Sequence, residues 1–132
     1  MKIAIVTDIH FGARGDSRVF HEVQRKFFHE VFFPYLDEHN ITTVFDLGDT
    51  FDRRKYINYV SLQHAKTALF DGLAERNIEF HALIGNHDTY YSNTNEVNSM
   101  NLLLKEYPNF KLYQDHGEHL EIGGTKFLML PW

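Results

Sequence analysis

Three short polar strings in this 132-residue chain carry side chains of the kinds that bind metal ions. They are Asp8-Ile9-His10, Gly48-Asp49-Thr50-Phe51-Asp52 and Gly85-Asn86-His87-Asp88. The carboxylate, imidazole and amide groups come from Asp8, His10, Asp49, Asn86 and His87. This mixture suits divalent Mn, Fe or Zn better than Ca, which prefers oxygen ligands alone.

Each string follows a segment that predicts a β-strand. The apolar, β-branched run Lys2–Thr7 and the run Thr42–Leu47 are typical of buried strands, and Asn77–Ile84 leads into a third. Gly48 and Gly85 allow the backbone to turn sharply just before the polar residues. Because the carboxyl ends of parallel strands meet at one edge of a sheet, we expect the three strings to converge there.

Two helices are predicted between these strands. Apolar residues at helical spacing predict a helix over 18–40, which Pro34 kinks or ends early. The residues that form this apolar series are Phe20, Val23, Phe27, Val31 and Tyr35. A second apolar series predicts a helix over 59–76, and a third predicts a helix that Pro108 ends.

Three more short strands complete the predicted order. They fall near Phe110–Tyr113, His119–Ile122 and Lys126–Leu130, and Gly123-Gly124 is typical of a hairpin turn. Strands joined by helices predict a parallel sheet with right-handed crossovers, which continues here into an antiparallel meander. We therefore expect an α/β fold.

Composition excludes several classes of protein. The length is that of one domain, and 43% hydrophobic with 23% charged residues is an ordinary globular balance. No apolar run approaches the roughly 20 residues of a membrane helix. The absence of cysteine excludes a disulfide scaffold and fits a cytoplasmic protein. With a net charge of -5, contacts with phosphate groups must be local or mediated by metal ions.

Each string by itself has an ordinary structural interpretation. Asp8 and His10 alone would fit a surface loop, Gly48-Asp49 is a common turn, and Gly85-Asn86-His87-Asp88 could be a loop that caps a helix. The metal-site interpretation is favoured by their occurrence in this order, each directly after a predicted strand.

In order and spacing over the whole chain, the strings resemble the first three signatures of the calcineurin-like metallophosphoesterases. Within that superfamily the chain is similar to the SbcD-type nucleases of DNA double-strand-break repair, and to their tailed-phage branch of recombination endonuclease subunits. The features that carry this narrower resemblance are Arg54-Lys55 after the second string, Tyr107-Pro108-Asn109 and Leu130-Pro131-Trp132. The resemblance implies an α/β/β/α sandwich, of which residues 1–132 would be an incomplete N-terminal part with a mixed sheet.

Two departures from the family pattern narrow this expectation. Asp52 stands where bacterial SbcD-type enzymes usually carry histidine, whereas the phage branch carries Asp. The family's later signatures, a lone His and a Gly-His-x-His string, have no match after Asp88, because His116 and His119 lie in a different context. We therefore expect residues 1–132 to be the N-terminal portion of a nuclease domain.

The resemblance also implies a role for each site residue. Two divalent ions, with Mn favoured over Mg, Fe or Zn, would be bridged by Asp49. Asp8 and His10 would hold one ion and Asn86 the other. His87 would protonate the leaving oxygen, and Asp52 would hydrogen-bond His87 and fix its tautomer.

The expected substrate and partners follow from the same resemblance. The substrate would be DNA, contacted by Arg53, Arg54, Lys55 and Tyr90, although a basic run is more often a solvated loop. The partners would be an SbcC-type coiled-coil ATPase subunit and a second copy in a homodimer, with no membrane. Two alternatives stay open: a phosphatase of the same fold that acts on small phosphoesters or phosphoproteins, and a non-catalytic interaction fragment.

Overall fold

The structure, a computed structural model, describes residues 1–53, 55–85, 100, 104–114 and 116–131. Its centre is a four-stranded sheet in the order β1-β2-β3-β4, with every neighbouring pair parallel. The strands are β1 (Ala4–Val6), β2 (Thr43–Asp46), β3 (Glu79–Leu83) and β4 (Phe110–Tyr113). The predicted α/β fold is confirmed, and the first three strands lie within the runs that predicted them.

The first helix, α1, runs from Arg18 to Glu38 and changes type along its length. An α-helical segment (Arg18–Lys26) continues into a π-helical segment (Phe27–Phe32) and then into a second α-helical segment (Phe33–Glu38). Pro34 therefore does not end the helix. A proline supplies no N–H and its ring crowds the carbonyl one turn earlier, and here the residues directly before Pro34 form a π-helical segment.

The second helix, α2, confirms the prediction over 59–76 and ends at Glu75. It consists of Tyr59–Ala65, a π-helical segment Lys66–Phe70, and Asp71–Glu75. The third predicted helix lies largely outside the described residues, of which Met100 and Leu104 are buried. In the part of the chain that the structure describes, no helix is long and apolar enough to cross a membrane.

The two faces of the parallel sheet are covered differently. On one face, Val44 and Phe80 pack into a core with Phe28, Leu69 and Leu73 of the two helices. The other face carries a hairpin of β5 (Glu118–Ile122) and β6 (Thr125–Met129). The result is three layers: helices, parallel sheet and hairpin.

The hairpin packs through aromatic and aliphatic side chains and turns at the predicted glycine pair. Phe45 of β2 meets Phe127 of β6 edge to face, with ring centroids 5.1 Å apart, and Tyr113 and Met129 are buried beside them. The predicted antiparallel meander from Phe110–Tyr113 onward is wrong in one respect. That strand pairs parallel to β3, and the antiparallel part is a separate two-stranded sheet. The long segment between β3 and β4 provides the crossover that parallel pairing requires.

Four of the five residues in the apolar series that predicted α1 are exposed, and Phe20 is half-buried. Val23, Phe27 and Tyr35 are exposed, whereas the buried side of the helix is formed by Phe28 and Leu36 with their neighbours. The helix is apolar on two sides, so periodicity identifies it as a helix without deciding which side meets the core.

Adjacent phenylalanines test this orientation of α1. Phe28 is 2% exposed and Phe27 is 47% exposed. We expect Phe28→Ala to lower the free energy of unfolding by about 3–5 kcal/mol, because it leaves a cavity in the core. The matched change Phe27→Ala should cost less than about 1 kcal/mol. Urea unfolding of both variants measures the difference, and equal losses would contradict the orientation.

Candidate metal centre

Two polar loops continue the parallel pairing of β1 and β2 beyond the ends of the strands. The first loop is residues 8–11 and the second is residues 48–52. The amide N–H groups of Asp8, His10 and Phe11 donate to carbonyl oxygens of the second loop over 2.8–3.0 Å. Phe11 and Phe51, which are both buried, form an isolated parallel bridge. The backbone therefore holds the two loops in register.

Three predicted ligands converge on these loops. Asp8, His10 and Asp49 each offer a ligand atom, and the three atoms lie within 4.8 Å of one another. The His10 Nε2 atom is 3.5 Å from Asp8 Oδ1, and the Asp8 side chain is largely exposed. Two carboxylates and one imidazole are a donor set that fits a divalent ion such as Mn, Fe or Zn. Two close carboxylates also repel each other unless a cation lies between them.

The same three residues share an uncommon backbone conformation. Their φ angles are 52° for Asp8, 51° for His10 and 56° for Asp49, all in the left-handed region. Asp, Asn and His enter this region more readily than other residues with a side chain. Asp and His at these positions therefore supply atoms that can bind a metal ion and also tolerate the left-handed backbone of the loops.

Two glycines allow the ends of β2 and β3 to approach each other. Gly48 has a φ of 107°, and a Cβ atom there would lie 2.7 Å from the Gly85 Cα atom. A Cβ atom on Gly85 would collide with the backbone nitrogen and the Oδ1 atom of Asp49. Glycine is therefore needed for space at both positions, and for a positive φ angle at Gly48.

Asp46, at the end of β2, is a site residue that sequence reasoning missed. It is fully buried, and its Oδ1 atom accepts a hydrogen bond from the Gly48 N–H at 3.0 Å. Its Oδ2 atom accepts from the Thr50 hydroxyl at 2.5 Å. These bonds shape the turn that presents Asp49. The available signal was a carboxylate two residues before a glycine, which is the pattern of an Asx turn.

Asp52 lies beside the ring of His10. Its Oδ1 atom is 3.4 Å from His10 Nδ1, whereas Asp8 is near the other ring nitrogen. A carboxylate that accepts a hydrogen bond from an imidazole orients the ring for metal binding. The predicted partner of Asp52, His87, lies outside the described residues, as do Asn86, Arg54 and Tyr90.

Arg53 is engaged within the fold. Its guanidinium donates to Asp16 at 2.6 Å and lies 5.0 Å from the centre of the Tyr56 ring. The hydrogen bond from Ser61, reinforced by Arg53, lowers the pKa of Asp16 below its ordinary value. Lys55, the next described residue, is exposed.

A buried polar network lies behind the two loops, between α1 and α2. The Ser61 hydroxyl donates to Asp16 Oδ1 at 2.5 Å, and His21 Nε2 is 3.1 Å from the same hydroxyl oxygen. The His21 ring stacks on the His64 ring with centroids 4.4 Å apart. Burial, together with the charge of His21, lowers the pKa of His64 from 6.5 to about 4.

A parallel α/β sheet with carboxylate and imidazole side chains gathered at the carboxyl ends of its strands is typical of metal-dependent hydrolases. The chain belongs to the calcineurin-like phosphoesterase family, whose sequence model matches residues 1–130. It is also 31% identical over 132 residues to exonuclease subunit 1 of Enterobacteria phage T4. That alignment covers all of this chain and 38% of the phage protein. The family resemblance drawn from the three strings is confirmed.

Gly85 provides a steric test of the site. We expect Gly85→Ala to displace Asp49 and to lower the free energy of unfolding by about 1–3 kcal/mol, the usual cost of overpacking. Affinity for Mn²⁺ should fall at the same time. Gly124→Ala is the control for backbone strain alone, because its φ of 81° disfavours alanine while no atom lies within 4 Å of a Cβ atom there. Calorimetric titration of both variants with Mn²⁺ makes the comparison, and unchanged affinity in Gly85→Ala would contradict the close approach.

The depressed pKa of His64 predicts a pH dependence of stability. Below about pH 6.5 the unfolded chain binds a proton at His64, while the folded chain resists it until about pH 4. His64 therefore reduces the free energy of unfolding progressively as pH falls from about 6.5 to about 4. The variant His64→Phe keeps a ring against His21 but does not titrate. Urea unfolding as a function of pH should show a shallower slope for His64→Phe in this window, and an unchanged slope would refute the assignment.

Proposed function

We propose that this chain carries part of the active site of a metal-dependent phosphodiesterase that acts on DNA. The observation that supports the proposal most directly is the convergence of Asp8, His10 and Asp49 in a member of a phosphoesterase family. The choice of DNA is supported by the name of the phage relative, an exonuclease subunit. Because the chain spans 38% of that relative, the activity is proposed for the protein that contains it.

Each site residue has a proposed task. Asp8, His10 and Asp49 would hold one divalent ion, and Asp49 together with Asn86 would hold a second. The mixture of carboxylate, imidazole and amide donors suits Mn²⁺, Fe²⁺ or Zn²⁺ better than Ca²⁺, and among these the family resemblance favours Mn²⁺. Such ions, when bound, stabilise negative charge on phosphoryl oxygens and make water more acidic.

The protein's own groups would orient the ligands and move the proton. Asp52 holds the His10 ring so that Nε2 faces Asp8, which agrees with the 3.4 Å and 3.5 Å distances on either side of the ring. His87 is proposed to give a proton to the leaving oxygen, as a general acid does. Asp52 is also the proposed partner that fixes the tautomer of His87.

The proposal also includes contacts with DNA and with other protein chains. Arg53, Arg54, Lys55 and Tyr90 would border the DNA next to the metal centre. The ion pair with Asp16 would fix the orientation of the Arg53 side chain. Lys55, two residues further along the chain, is exposed. The word subunit in the relative's name supports assembly with another chain, for which we propose an SbcC-type coiled-coil ATPase and a homodimer in the cytoplasm.

Asp49 is the residue on which the proposal is tested. The described residues contribute three donors to this site, so we expect the 132-residue chain to bind at most one Mn²⁺ ion, and weakly. Asp49→Ala should abolish that binding, because it removes a negative charge from the site. Asp37→Ala is the control, since Asp37 is paired with Arg76 at the surface. Calorimetry measures both variants, and wild-type affinity in Asp49→Ala would exclude its role as a ligand.

A choice of substrates separates the nuclease from a general phosphatase. The natural protein that contains this chain should cleave linear duplex or single-stranded DNA in the presence of Mn²⁺, and Asp49→Ala should abolish the cleavage. Hydrolysis of an aryl phosphate without cleavage of DNA would favour the phosphatase. Metal binding without any hydrolysis would favour the interaction fragment.

A further inference from the structure

The carbonyl group of Ile9 lies in the first loop, between two of the candidate metal-binding residues. Ile9 stands between Asp8 and His10, whose φ angles are both in the left-handed region. The N–H groups of Asp8 and His10 are held by carbonyl oxygens of the second loop. The Ile9 carbonyl accepts instead from the side chain of Gln24, which lies on α1.

The Gln24 contact is short and shielded from water. Its Nε2 atom donates to the Ile9 oxygen at 2.8 Å, and the residue is 9% exposed. A glutamine amide is seldom buried unless its polar atoms are satisfied, because removing it from water costs free energy. The second loop thus holds the N–H groups of Asp8 and His10, and Gln24 of α1 holds the carbonyl group between them.

The orientation of the Gln24 amide is set from its other end. Its Oε1 atom lies 3.2 Å from His64 Nε2, and an amide oxygen only accepts, so the His64 ring donates. The Ile9 carbonyl likewise only accepts, which requires Nε2 to point toward the loop. His64 is held in turn by its stack on His21 and by an edge contact with Phe11, at 5.6 Å between ring centroids.

Left-handed backbone at residues with a side chain persists only where the surrounding structure enforces it. We infer that Gln24 is a positioning residue of the metal centre, which holds the Ile9 carbonyl and thereby keeps Asp8 and His10 in the conformation that brings their ligand atoms together. The effect of Gln24 on metal binding rests on the proposed function. Its effect on the conformation of the metal-free loop does not depend on the proposed function.

Two variants separate positioning from packing. Gln24→Met keeps a similar volume and loses both hydrogen bonds, whereas Gln24→Glu keeps an acceptor for His64 and loses the donor to Ile9. Gln63→Glu is the matched control, because Gln63 is exposed on α2. Circular dichroism and urea unfolding establish that each variant is folded, and Gln24→Met decides the question if Gln24→Glu does not fold.

The metal-free chain gives the first measurement. Hydrogen exchange should be faster at the amides of His10 and Phe11 in both Gln24 variants, and unchanged at the Phe80 amide within the core. The backbone chemical shifts of Asp8 and His10, which report φ, should move away from left-handed values. Equal acceleration at all three amides would show a purely structural role, and wild-type exchange in Gln24→Met would overturn the inference.

Calorimetric titration with Mn²⁺ gives the second measurement. We expect the affinity to fall about 10–100-fold in both Gln24 variants, the usual cost of removing a group that orients a ligand, and to be unchanged in Gln63→Glu. Wild-type affinity in a folded Gln24→Met variant would overturn the inference. If the wild-type chain bound no Mn²⁺, the metal site of the proposed function would fail, and hydrogen exchange would still decide the role of Gln24.

Discussion

The candidate metal centre depends on a backbone conformation that the ligand loops would not hold by themselves. Asp8, His10 and Asp49 all have positive φ angles, and such angles cost free energy at residues with a side chain. The hydrogen bonds between loops 8–11 and 48–52 offset this cost by continuing the pairing of β1 and β2. The close packing of Gly48 against Gly85 extends the same constraint to the end of β3.

Electrostatics complements this backbone constraint. Asp8 and Asp49 bring two carboxylates to one point of a chain whose net charge is -5. Such an arrangement repels the phosphate groups of a nucleic acid unless cations intervene. A site of this kind therefore attracts a phosphate group only when cations are bound to it. Arg53, a basic residue close to the second loop, is paired with Asp16.

The differences between sequence and structure concern contacts that distant segments decide. The spacing of Val23, Phe27 and Tyr35 identified α1, yet these residues are exposed because the sheet meets the opposite side of the helix. Phe110–Tyr113 was correctly placed as a strand, but its pairing depends on the crossover that precedes it. The π-helical segments of α1 and α2 are also features that local propensity does not specify.

The sequence by itself determined the α/β class, the first three strands, both long helices and the family, because each rests on local periodicity or on strings of fixed spacing. It also identified Asp8, His10 and Asp49 as residues that would meet, since parallel strands present their carboxyl ends at one edge. The tertiary structure alone decided that Asp52 faces His10 and that Gln24 reaches the Ile9 carbonyl. Both contacts join groups that lie far apart in the chain. Each therefore exists only after the helices and the sheet have packed together.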